Sequence, residues 1–315
     1  MEKVIITGGS GTVGSSFIEN NINKYDIYSY SRNEKAQVSL KRKYPEVKIV
    51  LGSVEDKNNL GNIICNVQPK IIIHAAALKH VDTAEKQPLE MVKSNILGSK
   101  NIIDLATENN IPITVGISTD KACNPKNLYG YSKRIMERMF LEANTKKNIF
   151  CCTRFGNVAG SNGSVIPFWL NQESQKKSLS LTDDKMNRLM LDHNEVSEII
   201  EKCIQEADNE NGGFILSKKM KGVVMIDLAK IISKNIKIVG LRPGEDLNED
   251  LIGEDELLYT EVFGDYIFIK KEKNNNQKTQ LKKPLSSLNA VKKSKKELEE
   301  LVNSVKTFSK SNFNY

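Results

Sequence analysis

Short apolar runs, recurring between helical patterns, constrain this chain more than any other feature. VIITGG at residues 4–9, DIYSYS at 26–31, KIVLGS at 48–53, KIIIHAAA at 70–77, ITVGIS at 113–118 and NIFCCTRF at 148–155 are short and β-branched or aromatic. A half-exposed strand would alternate apolar with polar residues, so near-continuous runs such as IIIHAAA belong to a sheet covered on both faces. Most of the gaps hold helical patterns: SLKRKY, NLGNIICNV, SNILGSKNIIDLATEN and SKRIMERMFLEAN. That alternation predicts βαβ units, and with them an α/β fold built on a Rossmann-type doubly wound parallel sheet over residues 1–155. Beyond residue 156 the pattern is mixed. Helices are predicted near 165–171, 194–207 and 225–235, a strand at YIFIKK, an exposed loop at KEKNNNQKTQLKK and a last amphipathic helix ending in ELEELVNSV. Residues 156–315 therefore read as a smaller mixed α/β region, with a segment near 190–216 that could return to the first unit.

Thr7-Gly8-Gly9-Ser10-Gly11-Thr12-Val13-Gly14 follows the first strand and opens the first helix. In that context Gly8 permits a tight turn, Gly11 lets a pyrophosphate approach the backbone, and Gly14 lets helix pack on strand. The helix N-terminus then offers free N–H groups to phosphate oxygens. The end of the second strand chooses the dinucleotide: a carboxylate there would bind a ribose hydroxyl, an arginine a 2′-phosphate. The chain offers Ser31-Arg32-Asn33 with Lys35 nearby, which favours NADP.

Tyr-x-x-x-Lys suits redox chemistry on an alcohol, because one helical turn brings an ammonium beside a phenol and favours tyrosinate. Three pairs match: Tyr44/Lys48, Tyr129/Lys133 and Tyr266/Lys270. Tyr44 precedes a proline just before a strand, and Tyr266 lies in a strand pattern, where such residues stand about 13 Å apart. Only Tyr129 opens a helix, close after a strand that ends in Ser118-Thr119-Asp120-Lys121. Ligands of open α/β sheets bind at that strand end, where Thr119 can bond a substrate hydroxyl and Asp120 and Lys121 supply an acid and a base.

Net charge is +7, which by itself would suggest a polyanion partner. From Lys270 onward there are 12 Lys and 4 Glu with no Arg or Asp, so the rest of the chain carries 34 basic and 35 acidic residues. The body is neutral and the tail basic, which argues against nucleic-acid binding. Lysines preceding glutamates in the last helix oppose its dipole, so that helix reads as solvated and loop-flanked. Five cysteines without a C-x-x-C pair argue against a disulfide framework or structural zinc, and no metal site is expected. No apolar run approaches the roughly 18 residues of a membrane span and no signal peptide is legible, so a soluble cytoplasmic protein is expected.

The array Thr7 to Gly14, His74-Ala75-Ala76-Ala77, Ser118-Thr119-Asp120 and Tyr129-x-x-x-Lys133 resembles the extended short-chain dehydrogenases/reductases that act on nucleotide-activated sugars. HAAALKHVDTAEKQPLE, STDKACNPKNLYGYSK, RFGNVAGSNGSVIPF, LTD..MNRLML and LRPGEDLNEDLI resemble, more narrowly, the inverting UDP-N-acetylglucosamine 4,6-dehydratases of the polysaccharide-biosynthesis branch. The resemblance runs from residue 1 to about 255, with a weaker echo in PLSSLNA and the last helix. It implies NADP contacts from Ser10, Thr12 and Val13 of the glycine loop, from Ser53 and Val54, from Ala75, Ala76 and Ala77, and from Tyr129 and Lys133. It implies that Tyr129 deprotonates the sugar 4-hydroxyl with help from Thr119 and Lys133, that Lys121 removes the C5 proton and that Asp120 protonates the departing 6-hydroxyl. The expected product, formed through 4-keto and 4-keto-5,6-ene species, is UDP-2-acetamido-2,6-dideoxy-β-L-arabino-hexos-4-ulose. Asn157, Arg188, Arg242 and Glu245 would hold UDP, Lys79 would lie near the sugar, and the enzyme would be a dimer or hexamer. His74 and His80 read as structural. Four positions depart from the family pattern: Ser53, Asn162, Asp246 and Asn248. The same motifs would suit a 5,6-dehydratase that releases the ene, an isomerase that processes it, a 4-epimerase or a non-catalytic NADP-binding regulator.

Overall fold

The computed structural model describes residues 1–312 except 162, 211 and 243, and the side chains of all of these but 210 and 309–312. Six strands pair in parallel in the first half: β1 (Glu2–Thr7), β2 (Tyr25–Ser31), β3 (Lys48–Leu51), β4 (Ile71–His74), β5 (Ile113–Ile117) and β6 (Ile149–Thr153). Helices α1 (Thr12–Asn21), α2 (Glu34–Lys43), α3 (Lys57–Val67), α4 (Val81–Lys86), α5 (Pro88–Met91), α6 (Gly98–Glu108) and α7 (Leu128–Ala143) connect them, with a turn of π-helix between α5 and α6. Val4, Ile5, Ile6 and Ile71 through Ile73 are fully buried, as runs with two covered faces require. Strand order is β3-β2-β1-β4-β5-β6, so succession reverses between β1 and β4 and leaves a crevice at their C-terminal ends.

The later strands are β7 (Asn157–Val158), β8 (Leu179–Leu181), β9 (Asn187–Leu191), β10 (Phe214–Lys218), β11 (Gly222–Val224), β12 (Ile236–Ile238), β13 (Asp250–Ile252), β14 (Thr260–Phe263), β15 (Tyr266–Lys270) and β16 (Leu285–Ser286). Helices α8 (Val165–Ser174), α9 (His193–Glu210), α10 (Met225–Ile232) and α11 (Lys295–Asn312) accompany them. β10 joins the large sheet parallel to β6, whereas β15 and β14 extend it antiparallel. The sheet is therefore mixed at one edge instead of wholly parallel, because a hairpin at Gly264, with φ of +60°, needs no crossover helix. It draws on residues from both sides of position 155. A second apolar core gathers Ile166, Trp169, Leu181, Met190, Leu228 and Val305, among others, from α8, β8, β9, α10 and α11.

The last helix differs from the solvated element read from its lysines. Leu298, Leu301, Val302, Val305 and Phe308 are buried on its inner face, while Lys295 and Lys296 stay in water. An amphipathic stripe, not the dipole, decides where α11 sits.

Candidate active site

The crevice at β1 and β4 begins with Gly8. Its φ of +72° and a place where a Cβ would lie 2.7 Å from the Ala76 nitrogen exclude any side chain. Gly14 is equally closed, since a Cβ there would meet the Gly9 backbone. Gly11 faces open space, with only the Gly8 carbonyl within 3.1 Å, and it leads α1 without a side-chain cap. Uncapped N–H groups and a glycine left open suit a pyrophosphate, so these residues fit a dinucleotide.

A cleft of about 260 Å³ runs from this loop along the ends of β2, β3 and β4. Of the residues predicted for the cofactor, Gly8, Ser10, Gly11, Ser31, Arg32, Ser53, Val54, Ala75, Ala76 and Ala77 line it. Thr12, Val13, Gly14, Lys35, Tyr129 and Lys133 do not; Gly14 acts through packing, and Lys35 is exposed on the first turn of α2. Arg32 is open to solvent, with Glu55 3.9 Å away. Tyr30, absent from the predicted set, also lines the cleft, beside Gly52 and Ser53. Its hydroxyl donates to the Ser53 carbonyl at 3.0 Å, and a Cβ on Gly52 would run into it. His74 is buried between Thr7 (2.8 Å) and Ser99 (3.1 Å), and burial, helped by Lys133, lowers it to about 3. It is a neutral strut, as expected.

At the end of β5 a short turn, Asp120–Ala122, is capped by Thr119, whose hydroxyl accepts from the Lys121 N–H at 3.4 Å. Gly130 lets the first turn of α7 press against the Lys121 carbonyl, which brings Tyr129 to the turn. Burial raises the phenol to about 12, although the Lys121 charge and a hydrogen bond with Thr119 pull it down. Lys133 does not face the phenol as the spacing alone suggests. Its ammonium donates to the Ile117 carbonyl at 2.7 Å, and burial lowers it to about 8. The cation acting on the phenol is Lys121, and the Asp120 carboxylate opposes it.

Asp120 is wholly buried; Oδ1 accepts from Thr119 at 2.9 Å and meets Lys121 Nζ at 3.1 Å, while Oδ2 has no partner. On its other side Lys121 meets Glu249 Oε1 at 3.3 Å. Burial opposes the ammonium charge, yet Asp120 and Glu249 outweigh it and hold Lys121 above the ordinary lysine value. Glu249 in turn lies 4.0 Å from Arg188 Nε. Glu249 was not among the predicted site residues; its signal was its place in the segment after Arg242-Pro-Gly-Glu245.

Arg188 leads into a second cleft of about 430 Å³, which Asn157, Arg242 and Glu245 also line. The four residues predicted to hold UDP therefore meet, although they come from β7, β9 and the loop before β13. Asn157 Oδ1 and Ser164 Oγ are buried there without a protein partner, so both are free to bond a polar ligand. Arg188 donates to the Asp246 and Leu247 carbonyls at 2.8 and 3.1 Å, and Glu245 accepts from the Arg242 N–H at 3.1 Å. Lys79 is exposed after β4 and lines neither cleft. Two of the departures face elsewhere: Asp246 pairs with Lys126 at 2.9 Å and Asn248 accepts from Asn187 at 3.1 Å. Asn162 lies outside the described residues.

No cluster of metal-ligand side chains occurs among the described residues, nor is any helix there long and apolar enough to cross a membrane.

Residues 4–271 match the family described as polysaccharide biosynthesis protein. A UDP-N-acetylglucosamine 4,6-dehydratase (inverting) of Campylobacter jejuni is 36% identical over 280 residues, covering 85% of this chain and 82% of that protein. A UDP-glucose 4-epimerase of Rickettsia bellii is 34% identical, covering 84% and 81%. Among solved structures, Pen from Bacillus thuringiensis superposes with a TM-score of 0.88 at 29% identity, covering 97% of this chain and 98% of that one. The fold of a dTDP-glucose 4,6-dehydratase from Bacillus anthracis, solved with NAD, is shared at a TM-score of 0.68, 16% identity and coverage of 99% and 98%. The chain belongs to the polysaccharide biosynthesis protein family, among the dehydratases and epimerases built on the short-chain dehydrogenase/reductase fold.

Proposed function

We propose that the protein is an NADP-dependent UDP-N-acetylglucosamine 4,6-dehydratase that inverts C5. The observation that carries this reading is the line Asp120–Lys121–Glu249–Arg188, which joins the turn beside the Tyr129 phenol to the second cleft. NADP, when bound along the glycine loop with Arg32 toward its 2′-phosphate, supplies the acceptor and later the donor for oxidation at C4 and reduction at C6. Arg188 and Arg242 hold the diphosphate, to which a guanidinium fork is matched. Asn157 Oδ1 accepts from the nucleotide sugar. Thr119 orients the 4-hydroxyl, and Tyr129 takes its proton. A ketone at C4 acidifies the C5 proton, and the Asp120/Lys121 pair manages loss of that proton and of the 6-hydroxyl as water. Lys133 fixes the end of β5 through Ile117. The enzyme works in the cytoplasm as a homo-oligomer and feeds amino-sugar synthesis for surface glycans.

The epimerase relatives favour a second reading, exchange at C4 alone. That reaction has no use for a buried Asp120/Lys121/Glu249 set, which supports dehydration. Incubating purified enzyme with UDP-N-acetylglucosamine in heavy water, followed by NMR, separates the two. The dehydratase installs deuterium at C5 and a methyl group at C6. An epimerase leaves both positions untouched, and absence of any turnover overturns the reading.

A further inference from the structure

Arg242 and Glu245 reach the second cleft from the loop between β12 and β13, and that loop is held on both sides. From β9, Arg188 donates to the Asp246 and Leu247 carbonyls at 2.8 and 3.1 Å. From the other side come the two residues before α7. Lys126 Nζ lies 2.9 Å from Asp246 Oδ1, and Asn127 Nδ2 donates to the Gly244 carbonyl at 3.4 Å. Asn127 is buried and also caps α7, its Oδ1 accepting from the Gly130 N–H at 2.9 Å. The two bonds fix the amide: an N–H of the helix must meet oxygen, so the nitrogen has to face the carbonyl of the loop. Tyr129 stands two residues further on, inside the turn that this cap holds.

We propose that Asn127, assisted by Lys126, is a positioning residue that ties the Arg242 loop to the helix of Tyr129, so that a nucleoside diphosphate in the second cleft and the phenol are placed together. This deepens the functional reading and rests on one part of it, that the second cleft takes the nucleotide. A cap alone would need only an acceptor, which Asp supplies as well as Asn. The tie needs the amide donor. At Asn127 the two roles sit on different atoms of one side chain, so a single substitution separates them. Lys126 and Asp246 are more exposed, and their attraction is a smaller, salt-sensitive addition.

Asn127→Asp keeps the capping oxygen, loses the donor and sets a carboxylate against the Gly244 carbonyl. Hydrogen–deuterium exchange of the ligand-free protein should quicken by roughly three- to tenfold in peptides covering 244–249, the loss of one neutral hydrogen bond, while α7 exchanges as before. UDP affinity measured by calorimetry should fall by a similar factor. The slowing of exchange that UDP brings to the first turn of α7 in the wild-type protein should vanish. Asn127→Ala, which removes both atoms, should also loosen that turn in the free protein. Lys126→Gln lies at the surface, where folding is not at risk, and should quicken loop exchange by about twofold at low salt and by less at high salt. If Asn127→Asp matches the wild type in loop exchange, or loosens α7 as much as the loop, the amide is only a cap and the proposal falls. Faster loop exchange with UDP affinity unchanged overturns it too. If the wild-type protein binds no UDP, the nucleotide reading is wrong, whereas loop exchange in the free protein still decides whether Asn127 makes the tie.

Discussion

The Lys133 ammonium on α7 donates to the Ile117 carbonyl at the end of β5 across 2.7 Å, in a place that is almost wholly buried. A charge there stiffens the junction between strand and catalytic turn at a cost in solvation. Lys133→Met is expected to abolish activity yet to leave the free protein as stable at pH 7, or more stable by about 1 kcal/mol. Burial lowers the folded lysine to about 8 from 10.5. The unfolded chain therefore binds more protons between those values, and wild-type stability rises with pH through that window. The advantage of the Met variant should shrink accordingly from pH 8 to 10. Denaturant melts at both pH values test this, and a variant clearly less stable at pH 7 would contradict it.

Arg154 on the loop after β6 has no exposed surface and is held at 2.7–2.9 Å by both Glu137 and Glu256. Glu137 also accepts from Ser118 at 2.7 Å, one residue before Thr119. Arg154→Met leaves the buried Glu137 and Glu256 only Arg134 to share as a cation and should cost about 3–5 kcal/mol in denaturant unfolding. Adding Glu137→Gln should return part of that loss. If it returns none, the charges are not what the arginine supports.

His74 and His193 are both buried, and desolvation lowers them to about 3 and about 4 from 6.5. Because the unfolded histidines protonate first, the stability they contribute is complete above about pH 6.5. It falls as pH drops toward 4, by up to about 1.4 kcal/mol per unit for each group. His193→Asn should flatten the slope of unfolding free energy against pH in that window by about half, measured by urea melts. An unchanged slope would sink the assignment.

Arg32 lines the cofactor cleft with its guanidinium in solvent and only a distant carboxylate nearby. Arg32→Ala should weaken NADP binding by roughly tenfold or more, the loss of a charge-assisted bond, with little effect on NAD. Calorimetric titration with each dinucleotide reads the selectivity directly. Equal losses for both would place the 2′-phosphate elsewhere.

The local chemistry of the chain was enough to determine the parallel half of the sheet, the glycine loop and the place of Tyr129, unlike Tyr44 and Tyr266, at the opening of a helix. Each depends on residues within a turn or a strand of one another. Gly8, Gly11 and Gly14 follow the same logic, because turn geometry and helix packing act over a few residues. Tertiary structure alone decided the rest. Glu249 reaches Lys121 from the later half of the chain, and Lys133 bonds a carbonyl because burial leaves its ammonium in need of an acceptor. The basic last helix docks because a strip of Leu and Val outweighs its lysines. Charge and hydrogen bonding operate over a few ångströms of space whatever the distance along the chain, so the partners of Lys121 came together only when β5, β9 and the segment before β13 met.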